Sequence, residues 1–181
     1  MSDLEILEEL FHPEARILVE NYHGKGRATL VEPSCPESQV TIYGLPLNSI
    51  ILKVDLFDAP RKVFRNQRGE CKRADYAIIA PHTNITIIVH LEIKSSTELK
   101  RERIRQLKGA LCFMEFCRAV GREFWDEKLF LNRVRHRFVS FTYTSAAKRM
   151  TVIPPETKIH DRPDQPLCIS GTQTVQFKNI A

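Results

Sequence analysis

The stretch RADYAIIAPHTNITIIVHLEIKSS, Arg73 to Ser96, consists of two apolar runs flanking a short polar turn. Asp75 opens the first run, and Glu92 and Lys94 close the second. The sixteen residues between Asp75 and Glu92 suffice for a strand, a turn and a second strand. Side chains alternate faces along a strand. Ile87, Val89, Leu91 and Ile93 therefore share one purely apolar face, and Ile88, His90, Glu92 and Lys94 share the other. Glu92 and Lys94 point the same way, about 7 Å apart given the rise of a strand. Pairing the two runs as a hairpin brings Asp75 to the end that carries Glu92 and Lys94. Two carboxylates and one ammonium then converge.

That set suits phosphodiester hydrolysis. Hard oxygen ligands from one or two carboxylates hold Mg²⁺ and leave places for water and phosphate. The ion lowers the pKa of bound water and neutralises charge on the phosphate. A lysine orients the attacking water or stabilises developing charge. The competing reading is a surface salt bridge on a sheet edge. The Asp at the matched strand end and the all-apolar opposite face weigh against it.

Asp75, its spacer and Glu92-Ile93-Lys94 resemble the motif of the PD-(D/E)xK nuclease superfamily, which includes many restriction endonucleases, Holliday-junction resolvases and RecB-like nucleases. Ala74 stands where the family name puts proline. The resemblance covers roughly residues 50 to 144. It implies an α/β fold with a restriction endonuclease-like αβββαβ core, a mixed central sheet flanked by helices on both faces. It also implies that Asp75 and Glu92 bind Mg²⁺ or Mn²⁺, that Ile93 adds its backbone carbonyl, and that Lys94 positions or activates the water. Gln106, twelve residues after Lys94, resembles the glutamine that RecB-like nucleases place on the following helix. The substrate expected by family frequency is DNA. The rivals are a ribonuclease and a non-catalytic nucleic-acid-binding or protein-interaction module on the same fold.

Working outward, Ser95 and Glu98 fit a capping box, and a helix is expected from about Ser96 to Val120 with Gly121 as its stop. Leu99, Ile104, Leu107, Ala110, Leu111, Phe113, Met114 and Cys117 fall on one half of its wheel, and Arg101, Arg105 and Lys108 on the other. Arg103 and Gln106 interrupt the apolar half in the first turns, near Lys94. They either find partners at the site or snorkel to solvent from the core edge. Arg122 to Arg135 is expected to form a second helical segment, and Arg137 to Thr144 a strand that joins the sheet. Trp125 is a base-stacking candidate or, more commonly, a core residue.

Before Asp75, Ser49 to Phe57 reads as a strand, with Asp55 either near the site or paired with Lys53. The connection from Ala59 to Lys72 is basic: with Arg73 it carries Arg61, Lys62, Arg65, Arg68 and Lys72. It is a solvated loop or a grip on a nucleic-acid backbone. Arg65, Arg68, Lys72, Arg73, Arg101, Arg103, Arg105 and Lys108 are the candidate nucleic-acid contacts, and Glu70 and Glu8 are weaker candidates for an extra acid. Ser2 to Phe11 is a helix with a Ser2–Glu5 capping box and an apolar stripe of Leu4, Leu7, Leu10 and Phe11, stopped by Pro13. ARILVEN and GRATLVE form two short strands around His23-Gly24-Lys25-Gly26. That turn lacks the GK[ST] ending of a P-loop. Val31 to Gln39 is a loop, Val40 to Tyr43 a strand, and the segment from Thr151 to Ala181 irregular with one strand, TVQFKN.

These parts suit one domain over residues 1–181: a core at about 50–144, an N-terminal helix and hairpin at 2–45, and a C-terminal segment at 151–181. With 43% apolar and 27% charged residues the chain reads as soluble and globular. No apolar run is long enough for a membrane span, and the acidic N-terminus lacks a signal-peptide pattern. Five cysteines without a CxxC pair favour free thiols in a reducing cytoplasm and disfavour structural zinc. A net charge of +5 is compatible with a polyanionic partner. Phe124, Trp125, Leu129 and Phe130 offer material for a homodimer interface.

Overall fold

The computed structural model describes residues 1–32, 35–94, 100–142 and 159–181. The expected caps Ser95 and Glu98, the helix start at Ser96, the strand end at Tyr143–Thr144 and the start of the C-terminal segment lie outside the described residues. The elements run α1 (Asp3–Leu10), β1 (Arg16–Ile17), β2 (Glu20–Tyr22), β3 (Lys25–Glu32), β4 (Cys35–Leu45), β5 (Ile50–Lys53), β6 (Tyr76–His82), β7 (Ile85–Lys94), α2 (Lys100–Phe124), β8 (Val134–Thr142), β9 (Leu167–Ser170) and β10 (Thr174–Gln176). Among the described residues the chain is mixed α/β with two sheets. The larger has the order β1-β5-β6-β7-β8-β9 and the smaller β10-β4-β3-β2.

In the larger sheet β5, β6 and β7 form an antiparallel meander. The chain then crosses through α2 and returns as β8, parallel to β7. A parallel neighbour needs such a crossover, whereas an antiparallel one needs only a turn. The alternation read in β7 holds. Ile87, Val89, Leu91 and Ile93 join Tyr76, Ile78 and Ala80 in an apolar layer against Ala28, Leu30, Val40 and Ile42 of the smaller sheet. On the opposite face Ile50, Leu52, Ala77, Ile79, Ile88 and Phe138 meet Ile6 and Leu7 of α1 and Leu107, Ala110, Phe113, Met114 and Cys117 of α2. Helices were expected on both faces. Among the described residues both α-helices lie on one face, and the smaller sheet covers the other. The alternating burial of β3 and β4 explains this, since each offers one apolar side to the layer.

The Ser2–Glu5 capping box of α1 forms with both hydrogen bonds, Ser2 N to Glu5 Oε2 at 2.7 Å and Glu5 N to Ser2 Oγ at 3.3 Å. The β2–β3 hairpin turns through His23 and Gly24, both at positive φ, with Gly24 N donating to Asn21 Oδ1. Lys25 and Gly26 are paired strand residues. The expected loop from Val31 to Gln39 is shorter than read, because β4 already begins at Cys35 and pairs back to Glu32. The strand expected to reach Phe57 ends at Lys53, and Val54–Leu56 form a 3₁₀ turn.

Gly121 does not stop α2, which continues to Phe124. A Cβ there would sit 2.2 Å from the Phe130 ring. The glycine serves close packing, and the chain reverses through 127–131 directly into β8, so the expected second helix from Arg122 to Arg135 does not form. Phe130 is fully buried in this packing and is not surface for a dimer, whereas Phe124 and Leu129 are exposed. Beyond residue 159 there are two strands where one was expected. β9 extends the larger sheet and β10 the smaller. No helix among the described residues is long and apolar enough to cross a membrane. All five cysteines are free.

Candidate active site

The register Tyr76↔Leu91 sets Asp75 level with Glu92 and Ile93. Asp75 is held from both sides. Its carbonyl accepts from Val54 N at 2.8 Å, and its Oδ2 accepts from Ile93 N at 2.7 Å. Asp75 is 8% exposed. Burial pushes its pKa from 3.8 up to about 6; the Ile93 N–H and the Lys94 ammonium pull it down, while Asp55 and Glu32 push it up. Glu92 is fully buried on the helix-covered face, and its Oε1 lies 2.5 Å from Lys94 Nζ. The convergence expected from the hairpin is therefore what the fold provides. The N–H and C=O of one extended residue point to the same side. The Ile93 carbonyl thus faces the Asp75 side of β7.

The next strand adds a residue that the motif does not contain. Ser140 pairs in register with Glu92, which puts it on the same face. Its Oγ is buried without a hydrogen-bond partner among the described residues. The same holds for Gln106 Oε1 and Arg103 Nε on the first turns of α2. Arg103 Nη1 lies 3.0 Å from Cys168 Sγ of β9, so these turns span the site end of the sheet. Ser140 and Cys168 carried no site signal in the linear sequence: a strand at Arg137 to Thr144 puts Ser140 on one face with Phe138 and Thr142, but does not give its register against Glu92.

The other basic candidates divide into three groups. Lys72 Nζ sits 2.5 Å from Glu102 Oε1, and Arg105 Nη1 is 3.4 Å from Glu102 Oε2. Arg73 is half-buried, with its guanidinium 5.1 Å from the Phe57 ring centroid. Arg65, Arg68, Arg101 and Lys108 are exposed. The connection and the helix come together through Gly109, where a Cβ would fall 1.8 Å from Lys72 O. Glycine in a helix interior costs about 1 kcal/mol relative to alanine. Here it lets the backbone just before Asp75 lie directly on α2. Asp55, beyond the end of β5, feels both Lys53 and the buried Asp75. Glu70 Oε2 accepts from Arg68 N at 2.9 Å, within its own turn. Glu8 is exposed on α1.

The donor set can be tested against a divalent ion. Among the described residues no group of three or more His, Cys, Asp or Glu side chains is gathered to hold a metal. Mg²⁺ does not need one, since one or two carboxylates with water and phosphate oxygens complete its shell. Asp75 and Glu92 are hard oxygen donors on adjacent strands at one level, with the Ile93 carbonyl on the same side. Buried acceptors at Ser140 and Gln106 stand ready for ordered water. The residues present fit the ion. No protein-family model, no curated protein and no solved structure matches this chain.

Proposed function

We propose that this chain is a metal-dependent nuclease that hydrolyses phosphodiester bonds, with DNA as its substrate, on a restriction endonuclease-like αβββαβ core. The observation that carries the reading is the hydrogen bond from Ile93 N to Asp75 Oδ2, which locks the Asp against the Glu-x-Lys strand end. The succession β5-β6-β7-α2-β8, with α1 packed on the same sheet face as α2 and β1 to β4 inserted between α1 and β5, supports the fold assignment. Asp75, Glu92 and the Ile93 carbonyl would hold Mg²⁺ or Mn²⁺, which supplies an acidified water and charge neutralisation when bound.

The chain's own groups do the rest. Glu92 holds the Lys94 ammonium at the site, where it orients the attacking water or donates to a phosphate oxygen. Gln106 accepts from that water or from a neighbouring one. Arg103 carries a delocalised charge suited to a phosphate oxygen. Asp75 acts as a ligand only when ionised.

The test incubates the purified protein with single- and double-stranded DNA and RNA, with and without Mg²⁺ or Mn²⁺. Cleavage is expected only with metal, and Lys94→Ala should lose turnover while keeping substrate binding. Full cleavage in excess EDTA would sink the assignment. RNA-only cleavage would make the protein a ribonuclease, and absence of cleavage on every substrate would favour a binding module.

The free thiols suit a reducing cytoplasm. Phe124 and Leu129, exposed at the end of α2 and in the turn after it, suit a homodimer that brings two sites to a duplex. Light scattering is expected to give twice 20.9 kDa; a mass of 20.9 kDa with and without DNA excludes the dimer.

A further inference from the structure

The connection that delivers Asp75 also carries aromatic surface. Phe57 follows the 3₁₀ turn whose Val54 N–H binds the Asp75 carbonyl, and Phe57 N donates to Val54 O at 3.1 Å. Its ring lies 5.0 Å from Phe113 and 5.9 Å from Phe116, centroid to centroid. Phe113 is buried and anchors the group, while Phe57 is 37% and Phe116 54% exposed. The Arg73 guanidinium covers the Phe57 ring at 5.1 Å. Arg61, Lys62, Arg65 and Arg68 of the same connection are exposed. Asp55, Asp58 and Glu70 are its acids, so the basic residues outnumber them.

Exposed aromatic rings beside exposed cations match one class of partner. A polyanion alone needs no rings, and an apolar protein surface is not attracted by a run of arginines. Unpaired nucleic-acid bases present π-faces for stacking and phosphates for the cations. Duplex bases hide those faces against one another. We propose that Phe57 and Phe116, with Arg73 and the exposed basic residues of the connection, form a stacking platform for single-stranded nucleic acid beside the Asp75 end of the sheet. The platform deepens the nuclease reading and rests on it: it selects a single-stranded or frayed segment of the substrate.

Binding is measured by fluorescence anisotropy in EDTA, so that no cleavage intervenes. The probes are short labelled oligothymidylate, oligouridylate and a DNA duplex of matched length. Phe116→Ala should weaken single-strand binding by about fivefold or more, the effect of losing a base–aromatic stack. Duplex binding should stay unchanged. Phe116→Trp should keep the affinity, and its added indole fluorescence should be quenched by the oligonucleotide, over the signal of Trp125 alone. Equal loss on thymidylate and uridylate assigns the site to either nucleic acid; loss on one assigns it to that one.

Unchanged single-strand affinity in Phe116→Ala overturns the platform, as does an equal loss on duplex. A changed solution mass in that variant also overturns it, because the patch is then a protein contact. If Phe116→Ala fails to fold, absence of quenching in Phe116→Trp is decisive against it. Metal-dependent cleavage with no stacking refutes the platform and leaves the nuclease reading intact. Stacking without cleavage does the reverse.

Discussion

The two faces of β7 are built from alternate residues of one strand and have opposite characters. One face, Ile87, Val89, Leu91 and Ile93, is dry and apolar under the smaller sheet. The other carries Ile88, then the buried polar residues His90 and Glu92, then Lys94, under α2. There the neighbouring strand adds His136 and Ser140, and His90 Nε2 lies 2.9 Å from His136 Nδ1. Burial holds both histidines below their ordinary pKa, which favours the uncharged imidazole in each. The contrast teaches a division of labour. A rigid apolar backing holds the strand, so the opposite face can tolerate buried polar groups whose worth is chemical rather than structural.

The widest separation between the faces comes from neighbouring substitutions. Leu91→Ala, at a fully buried site between the sheets, should cost about 2–5 kcal/mol of stability. Its activity per folded molecule should be nearly kept. Glu92→Gln, one residue on, should lower cleavage by about a hundredfold or more with the fold intact. Denaturant melts paired with single-turnover assays check both. Equal stability losses at the two positions would break the comparison.

Gly109→Ala tests how the helix-covered face is assembled. Its Cβ would overlap Lys72 O, so α2 must move away from the chain that leads into Asp75. A stability loss of about 1–3 kcal/mol is expected, with metal affinity falling as well. A stability loss with unchanged metal affinity would separate the packing from the site.

Asp75→Asn should show the cost of the polar face through pH. The folded pKa is raised from 3.8 to about 6, so folding disfavours the ionised form. In the wild type, stability falls as pH rises between those two values, and the loss is complete above the folded pKa. The Asn variant, still able to accept from Ile93 N–H, should therefore be up to about 3 kcal/mol more stable at neutral pH and no more stable below the unfolded pKa. Metal affinity of the wild type should rise with pH through about 6, because a ligand carboxyl must be ionised. A pH-independent difference between the two proteins would argue against the buried-carboxylate account.

The smallest effect concerns charges outside both faces. Neutralising the exposed Arg65 and Arg68 should flatten the salt dependence of nucleic-acid binding by about one unit of slope per lost phosphate contact. Lys72 and Arg105, tied to Glu102, should contribute less. Identical slopes would leave Arg65 and Arg68 as a solvated surface.

Gly121 and Ser140 show where linear reading ended. A glycine after an apolar helical run has the form of a C-cap, but Phe130, returning from the turn, needs the space of its missing side chain. Phe138, Ser140 and Thr142 were readable as one side of a strand. That this side belongs beside Glu92 depended on the parallel pairing made through α2. The smaller sheet was harder still, since β4 finds β10 across more than a hundred residues.

By itself, the sequence determined what is local. Alternation along β7 follows from the pleat, the α1 cap from atoms three residues apart, and the Asp75–Glu92 convergence from a hairpin closed by a short turn. Only the tertiary structure decided which layer covers each face, why Gly109 and Gly121 have no side chain, and that Ser140 and Arg103 meet the same end of the sheet. Those outcomes depend on contacts between segments distant in sequence. They form when apolar faces choose among several possible covers, and that choice is made by shape and register across the whole chain.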